Sequence, residues 1–260
     1  MPAILSAHAR LSTKDRFTNL QLIRFYTILQ KLLPPQSCLG CAAPVYRQLP
    51  LCEDCEEELP WQPPGCPQCG LYSIDLNPGE HCFNCKHSPP AFDECHCVFA
   101  YEKPVDTMIR RFKDHGLFAP ARCLGRILAA SFRQHYLEQG VLPELLAPVP
   151  LHDGRLRQRG FNQSLWMARQ IQKRCGVSLL TRACSRLATV HSQRGLGAQQ
   201  RQQNMQGVFA AGPEGHLTAG RHIAIIDDVV TTTATANAMA QVLRQCGASR
   251  IDVWALARVN

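Results

Sequence analysis

The stretch that decides the fold is Ile223-Ala224-Ile225-Ile226-Asp227-Asp228-Val229-Val230-Thr231-Thr232-Thr233-Ala234-Thr235. Its first four residues form an apolar run that predicts a buried β-strand ending at Ile226. A hydroxyl-rich segment separates this strand from a helix predicted over 235–246, which Gly247 closes. The stretch therefore predicts a strand, a loop and a helix N-terminus, an arrangement in which α/β proteins bind phosphate groups.

Two adjacent carboxylates, Asp227 and Asp228, follow the predicted strand directly. Close like charges are costly unless a ligand uses them, and carboxylates at a strand end suit sugar hydroxyls or a Mg²⁺ ion. The backbone amides and hydroxyl groups from Thr231 to Thr235 are expected to face a phosphate. The alternative is a structural turn in which a threonine serves only as a helix N-cap.

The segment from 97 to 260 alternates predicted strands with predicted helices. Strands are expected at 97–101, 145–151, 223–226 and 251–257, and helices at 105–113, 119–136, 162–175 and 235–246. This alternation predicts an α/β fold with a parallel sheet. A periodic apolar pattern predicts a further helix within 20–33, and the polar segment 186–204 predicts a mobile loop.

Fourteen cysteines are many for 260 residues, and eight of them form four Cys-x-x-Cys pairs. Eight thiolates at this spacing make two closed tetrahedral Cys₄ zinc sites, which are structural rather than catalytic. Disulfide bonds are the alternative, which a reducing compartment disfavours. The spacing between the Cys-x-x-Cys pairs allows two ways of sharing the zinc ions, either between successive pairs or between interleaved pairs. Sequential pairing is favoured, with Cys38, Cys41, Cys52 and Cys55 in one site and Cys66, Cys69, Cys82 and Cys85 in the other.

Composition and charge narrow the possible partners. No apolar run approaches the ~20 residues that span a bilayer, and no secretory signal is found, so a cytoplasmic location without a membrane span is expected. Between Lys103 and Arg201, seventeen Lys or Arg residues face five Asp or Glu, a net charge of +12. Such a segment suits phosphate groups on a small ligand or a nucleic acid, and a solvated basic surface is the alternative.

Residues 225–235 resemble the phosphoribosyl pyrophosphate (PRPP) motif of the type I phosphoribosyltransferases. Other segments are similar to the ComF/GntX family, which is linked to competence and DNA utilisation. These are the Cys-x-x-Cys pairs, Phe112-Lys113-Asp114-His115-Gly116, Pro150-Leu151-His152 and Arg159-Gly160-Phe161-Asn162-Gln163-Ser164. The resemblance covers roughly residue 34 to the C-terminus. It implies an N-terminal extension at 1–36, a double zinc ribbon at 37–90 and, at 91–260, a type I phosphoribosyltransferase-like parallel sheet flanked by helices.

The resemblance also implies roles for individual residues. Asp227 and Asp228 would contact the ribose hydroxyls of PRPP, which binds with Mg²⁺. The rest of the loop would hold the 5′-phosphate, through Val229, Val230, Thr231, Thr232, Thr233, Ala234 and Thr235. Charge near the pyrophosphate would come from Arg155, Arg157 and Arg159, since guanidinium groups match phosphate oxygens.

The chain departs from the family pattern at Thr233, where the family loop usually has glycine. A β-branched residue resists a positive φ. Two outcomes are therefore expected: either the loop stays in ordinary backbone conformations, or phosphate binding is weakened.

The sequence leaves three functions open. The first is a Mg²⁺-dependent phosphoribosyltransferase with an unidentified acceptor. The second is a non-catalytic phosphate-pocket module that binds single-stranded DNA or a competence helicase, and the third is a zinc-stapled adaptor. No convincing base-binding segment follows the loop, although Trp254 could stack on a base, and this disfavours purine salvage. Because aromatic residues make up only 7% of the chain, DNA contact would depend on arginine and phosphate rather than on base stacking.

Overall fold

A computed structural model describes residues 35–77, 79–187 and 207–260. The chain divides into two compact units, Met1–Glu57 and Glu58–Asn260. The helix predicted within 20–33 and most of the loop predicted at 186–204 lie outside the described residues. The expected domain boundaries at 36/37 and 90/91 stay predictions. In the part of the chain that the structure describes, no helix has both the length and the apolar character needed to cross a membrane.

The first unit is built from short elements. Strands β1 (Gln36–Ser37) and β2 (Pro44–Val45) pair antiparallel, and helix α1 (Glu53–Glu57) follows. None of the five residues of α1 is buried. A segment that buries so little apolar surface needs a cross-link or a bound metal ion for its folded state to be stable.

The second unit carries the α/β domain. Its helices are α2 (Phe83–His87), α3 (Val105–His115), α4 (Phe118–Gln139), α5 (Asp153–Arg159), α6 (Gln163–Cys175) and α7 (Ala234–Gln245). Its strands are β3 (Glu94–Ala100), β4 (Leu145–Pro148), β5 (Ser178–Leu179), β6 (Cys184–Arg186), β7 (Phe209–Ala211), β8 (His222–Val230) and β9 (Arg250–Arg258), with a short 3₁₀ helix at Gly215–Thr218.

Five of these strands form one parallel sheet in the order β3-β9-β8-β4-β5. The central strands β8 and β9 are covered on both faces, so they are apolar nearly throughout rather than alternating. Ile225 and Val253 pack with Met239 of α7 on one face. Trp254 follows Val253, points to the other face and packs on Phe132 of α4, with ring centroids 5.1 Å apart. The predicted α/β class is therefore confirmed.

The predicted strands and helices of the α/β segment are present, and most have longer ends than predicted, but the strand predicted at 145–151 ends at Pro148. The strand predicted at 223–226 runs on to Val230, because its second half pairs with β9 in register Asp227↔Ala255 and Val229↔Ala257. The helix predicted at 162–175 begins after Asn162, whose side chain accepts a hydrogen bond from the amide of Leu165, and it ends at Gly176 with φ 74°.

Helix α5 and strands β5, β6 and β7 of the α/β domain were not predicted. Helix α5 occupies the turn after β4. Strands β6 and β7 form an antiparallel hairpin outside the main sheet. Arg186, which was assigned to the mobile loop, instead ends β6, where Arg186 pairs with Phe209. The prediction was wrong here because the pairing partner lies 23 residues away, beyond the reach of a local pattern.

Candidate functional site

The eight paired cysteines form two clusters, and in each the four sulfur atoms lie within 4.8 Å of one another. The first joins Cys38, Cys41, Cys52 and Cys55, and the second joins Cys66, Cys69, Cys82 and Cys85. All of these cysteines are unbridged thiols. This is the sequential pairing favoured by the sequence, and the interleaved alternative is wrong. Four thiolates at one point fit a structural zinc ion, which leaves no coordination position open.

Backbone amides prepare these sites for a cation. Burial opposes ionisation of Cys38, but amide hydrogen bonds from Cys41 and Cys52 outweigh it and lower the pKa of Cys38 to about 6. Burial likewise opposes ionisation of Cys66, and the amides of Cys82 and Cys69 bring its pKa to about 7. Each cluster thus contains a thiol that ionises readily, as a zinc ligand must.

The acidic pair lies inside β8 rather than after it. Asp227 and Asp228 are both buried, with 9% and 5% of their surface exposed. The hydroxyl of Ser164 donates to Asp227 Oδ1 over 3.0 Å, and the amide of Asp228 donates to the same oxygen over 2.9 Å. Lys113 Nζ lies 2.7 Å from Asp228 Oδ2, so the two side chains form an ion pair, although the angles are not those of a hydrogen bond. Helices α3 and α6 therefore each supply one polar partner to the pair.

The two acids cannot both ionise freely. Burial, and then the charge of Asp228, raise the pKa of Asp227 to about 7, although the amide of Asp228 and the nearby Lys113 oppose this. Desolvation disfavours a buried carboxylate, and a like charge beside it adds to the cost. A cation that binds the two carboxyl groups offsets the cost of ionising them side by side in a buried position. Buried acids with strongly shifted pKa values are more typical of ligand-binding sites than of structural turns.

The loop after β8 is shorter than the sequence predicted. Val229 and Val230 belong to the strand, and helix α7 begins at Ala234, so the loop consists of residues 231–233. Thr231 and Thr232 are exposed, and the next three residues are half-buried. Amides at the start of a twelve-residue helix face this loop, as an anion site requires.

Thr233 adopts φ 61° and ψ −4°, in the left-handed region. This excludes the expectation that the loop stays in ordinary backbone conformations. The conformation that glycine would provide is reached by a β-branched residue, at a cost of about 1–2 kcal/mol. The Thr233 hydroxyl donates to the carbonyl of Thr232 over 2.6 Å, which offsets part of this strain.

Thr233→Gly is expected to raise the free energy of unfolding by about 0.5–1 kcal/mol, because relief of left-handed strain exceeds the extra chain entropy of glycine. Thr232→Gly, whose φ is not positive, is the matched control and should lower stability by a similar amount. Urea unfolding of the two variants measures the difference. Equal destabilisation by both would contradict the strain at Thr233.

The basic residues predicted near the pyrophosphate lie on α5, which follows β4. Arg155 and Arg157 are exposed, and Arg159 Nη2 lies 3.8 Å from Asp114. Burial, and then the charge of Arg155, lower the pKa of Arg186, while the charge of Asp227 opposes them. Arg186 therefore interacts electrostatically with both Arg155 and Asp227. For Arg157 and Arg159 no contact with Asp227 or Asp228 is found among the described residues.

Nearly every residue of the motif 159–164 has a structural role. Gly160 ends α5 with φ 76°, and the ring of Phe161 lies 4.8 Å from that of Phe112. Asn162 caps α6 and also donates to the carbonyl of Val149 over 3.0 Å. Ser164 then reaches Asp227. The motif thus fixes the turn after β4 and the acidic pair to each other.

Arg258 connects the second thiolate cluster to the loop. Its side chain is buried, and its Nε donates to the carbonyl of Cys69 over 3.2 Å. Its Nη1 donates to the carbonyls of Thr231 and Val230. Gly70 lies beside this contact with φ 69°, and a side chain there would meet the carbonyl of Cys95 at 3.0 Å. The metal-binding turn is thus packed directly onto the α/β domain.

Sequence reasoning missed four residues of this site: Lys113, Ser164, Arg186 and Arg258. Lys113 lies in the motif 112–116 and Ser164 in the motif 159–164, so membership of these motifs was the signal that could have identified them. Arg186 and Arg258 had none, because each is brought to the site by strand pairing across distant parts of the chain.

Comparison with known proteins agrees with this architecture. The double zinc ribbon domain family matches residues 28–86. Competence protein F of Haemophilus influenzae is 32% identical over 213 residues, covering 80% of this chain and 90% of that protein. DNA utilization protein YhgH of Escherichia coli K12 is 30% identical over 233 residues, covering 87% and 99%. Competence protein ComFC of Streptococcus pneumoniae is 22% identical over 211 residues, covering 80% and 87%.

Solved structures similar to the chain include two phosphoribosyl enzymes. The glutamine PRPP amidotransferase from B. subtilis, complexed with ADP and GMP, has a TM-score of 0.33 and 19% identity over 51% of this chain and 25% of that one. Purine phosphoribosyltransferase from Pyrococcus horikoshii has a TM-score of 0.28 and 13% identity over 50% of this chain and 70% of that one.

The helix-flanked parallel sheet and the two Cys₄ clusters define an α/β protein with a double zinc ribbon module. Because the chain is 32% identical to competence protein F and spans 90% of its length, it belongs to the ComF family.

Proposed function

We propose that this ComF-family chain binds PRPP together with Mg²⁺ at the carboxyl end of β8, in the service of DNA uptake or utilisation. The observation that carries the proposal is the buried pair Asp227 and Asp228, which borders both an ion-paired lysine and a loop that opens a helix. Hard oxygen ligands suit Mg²⁺, and a carboxylate also accepts from ribose hydroxyls. The loop 231–233 and the first amides of α7 would hold the 5′-phosphate.

Positive charge in this region supports the binding of an anion with several phosphates. Lys113 lies against Asp228, and Arg155 and Arg186 act electrostatically near Asp227. When Mg²⁺ and PRPP bind, Lys113 is placed to exchange its carboxylate partner for a phosphate oxygen. Arg155 is exposed on α5 and free to turn toward the pyrophosphate.

The role in DNA utilisation is supported by the names of the relatives, which are competence proteins and DNA utilization proteins. The second candidate is a non-catalytic pocket that serves single-stranded DNA or a helicase partner. The exposed arginines of α5 favour it, because exposed guanidinium groups contact nucleic-acid phosphates without sequence preference. Release of pyrophosphate in the presence of candidate acceptors separates transfer from binding alone.

Titration calorimetry of the zinc-loaded chain with PRPP and Mg²⁺ tests the site. Asp228→Asn keeps the shape of the side chain and removes its charge, and we expect it to weaken binding at least about 30-fold, since a lost buried charge contact costs about 2 kcal/mol or more. Asp75→Asn changes an exposed carboxylate in a turn of the second unit and should bind as the parent chain does. Unchanged affinity in folded Asp228→Asn would refute the site.

A further inference from the structure

A third group of metal-ligating side chains, separate from the two Cys₄ clusters, lies on the edge strand β3 and the neighbouring helix α4. Glu94 and His96 alternate with Cys95, so they share one face of the strand. His135 of α4 packs over that face, with its ring centroid 4.0 Å from that of His96. The carboxylate and the two imidazoles present one ligand atom each within 4.8 Å of one another.

The distances converge on one carboxylate oxygen. His96 Nε2 lies 2.9 Å from Glu94 Oε2, and His135 Nε2 lies 3.7 Å from the same oxygen. The second distance is too long for a hydrogen bond. His135 Nε2 is nevertheless buried and has no hydrogen-bond partner among the residues that the structure describes. A buried polar atom without a partner costs free energy, so its position calls for a ligand.

The groups around the cluster orient the carboxylate and balance its charge. Arg250 Nη2 lies 3.0 Å from Glu94 Oε1, the oxygen that faces away from the histidines. Arg250 Nε also donates to Asp252 Oδ1 over 3.0 Å, so the guanidinium charge is shared with a fully buried acid. Outer partners of this kind hold first ligands in place at metal sites. The other carboxylate oxygen, Glu94 Oε2, therefore lies next to the two histidines.

The geometry points to a third metal site at Glu94, His96 and His135, which takes a divalent transition cation of the Zn²⁺, Co²⁺ or Ni²⁺ class. Imidazole suits these ions, and two imidazoles with one carboxylate are a ligand set that they accept. The set shares none of the eight paired thiolates, so it is independent of the structural zinc sites.

This site differs from the thiolate sites in having an open side. Glu94 and His96 form part of the wall of a cavity of about 560 Å³, together with Trp61, Ser131, Gln139 and Trp254. Three protein ligands leave at least one position of a tetrahedral ion unfilled, as in zinc sites that bind water or a substrate. Water or a small polar ligand in the cavity would complete the coordination of the ion.

Titration with Co²⁺ tests this site in the full chain whose thiolate clusters already hold Zn²⁺. We expect one further equivalent to bind, with the weak visible absorption of Co²⁺ bound by nitrogen and oxygen and without the intense charge-transfer band of thiolate ligands. His96→Ala and His135→Phe should each weaken this binding more than about 100-fold, because loss of even an outer partner costs about 10–100-fold.

The controls separate metal binding from packing. His135→Phe keeps an aromatic ring against Tyr136 and Trp254, and an unchanged zinc content of the variant shows that the chain is folded. His216→Ala removes an exposed histidine outside the cluster and should leave the Co²⁺ affinity unchanged. The inference is overturned if no further ion binds, if the added ion shows thiolate charge transfer, or if the cluster variants bind as tightly as His216→Ala.

Discussion

Cys82→Ser is expected to empty the second Cys₄ site, reducing the zinc content from two ions per chain to one and unfolding the turn around Cys66 and Cys69. Cys82 is buried, and its sulfur lies 3.6 Å from that of Cys69. Structural zinc supplies about 10–16 kcal/mol of apparent binding free energy in small zinc domains. The four thiols of this cluster have little apolar surface around them to replace the metal, since Leu71 and Leu76 are the only partly buried hydrophobic residues that pack against them within the described ranges.

The effect should reach the proposed PRPP site through Arg258. The carbonyl of Cys69 accepts from Arg258 Nε, and the same guanidinium holds the carbonyls that begin the loop at 231–233. When the turn unfolds, the buried guanidinium loses one of its acceptors and its fixed position. Buried charged groups that lose a partner are costly, so the loop is expected to loosen with the turn.

Metal analysis, urea unfolding and PRPP titration of Cys82→Ser measure these effects together. Cys246→Ser is the matched control, because Cys246 is a half-buried thiol outside both Cys₄ clusters. Full zinc content in Cys82→Ser would contradict the assignment of the ligand. Normal PRPP affinity after loss of the zinc would show that Arg258 does not transmit the change.

Binding of PRPP with Mg²⁺ is expected to weaken about tenfold for each pH unit well below 7 and to level off above it, so that pH 5 and pH 7 differ by about 50-fold. The cause is Asp227, whose pKa is raised to about 7 by burial and then by the charge of Asp228. A cation binds the ionised carboxylate, and below pH 7 a proton must leave before it can bind. Above pH 7 no proton remains to be displaced.

The same pKa shift acts on stability in the opposite direction. The folded chain binds a proton at Asp227 more tightly than the unfolded chain, whose Asp pKa is about 4. The stability from this proton is fully present below pH 4 and is lost as pH rises through 7. The ligand-free site therefore opposes folding at neutral pH, and Mg²⁺ with PRPP should restore the lost stability.

Carboxyl-carbon NMR of the ligand-free chain separates Asp227 from the ionisation of PRPP itself. Asp228→Asn removes the neighbouring charge, so the titration of Asp227 should move to lower pH in that variant. Asp75→Asn should leave it in place. A carboxyl at Asp227 that titrates near pH 4 in the parent chain would refute the raised pKa, and a pH-independent affinity would refute its role in binding.

The zinc ligands show how much a local pattern can predict. Two cysteines three residues apart meet at one point through a single tight turn, so their spacing alone located all eight ligands. Which pairs share a metal was not decided by spacing, because ten- to twelve-residue gaps close in either order. The tertiary structure decided the pairing, because it brings the sulfur atoms of two successive turns together in each cluster.

The sequence by itself determined the α/β class, the strand and helix around the acidic pair, and the four Cys-x-x-Cys pairs, because each depends on periodicity or on spacing within about fifteen residues. Only the tertiary structure decided what surrounds them. Lys113, Ser164 and Arg258 reach the acidic pair or its loop from separate elements, and the ion pair of Lys113 with Asp228 joins residues 115 positions apart. The left-handed Thr233 and the cluster of Glu94, His96 and His135 likewise arise from packing and strand order, which leave no periodic trace in the sequence.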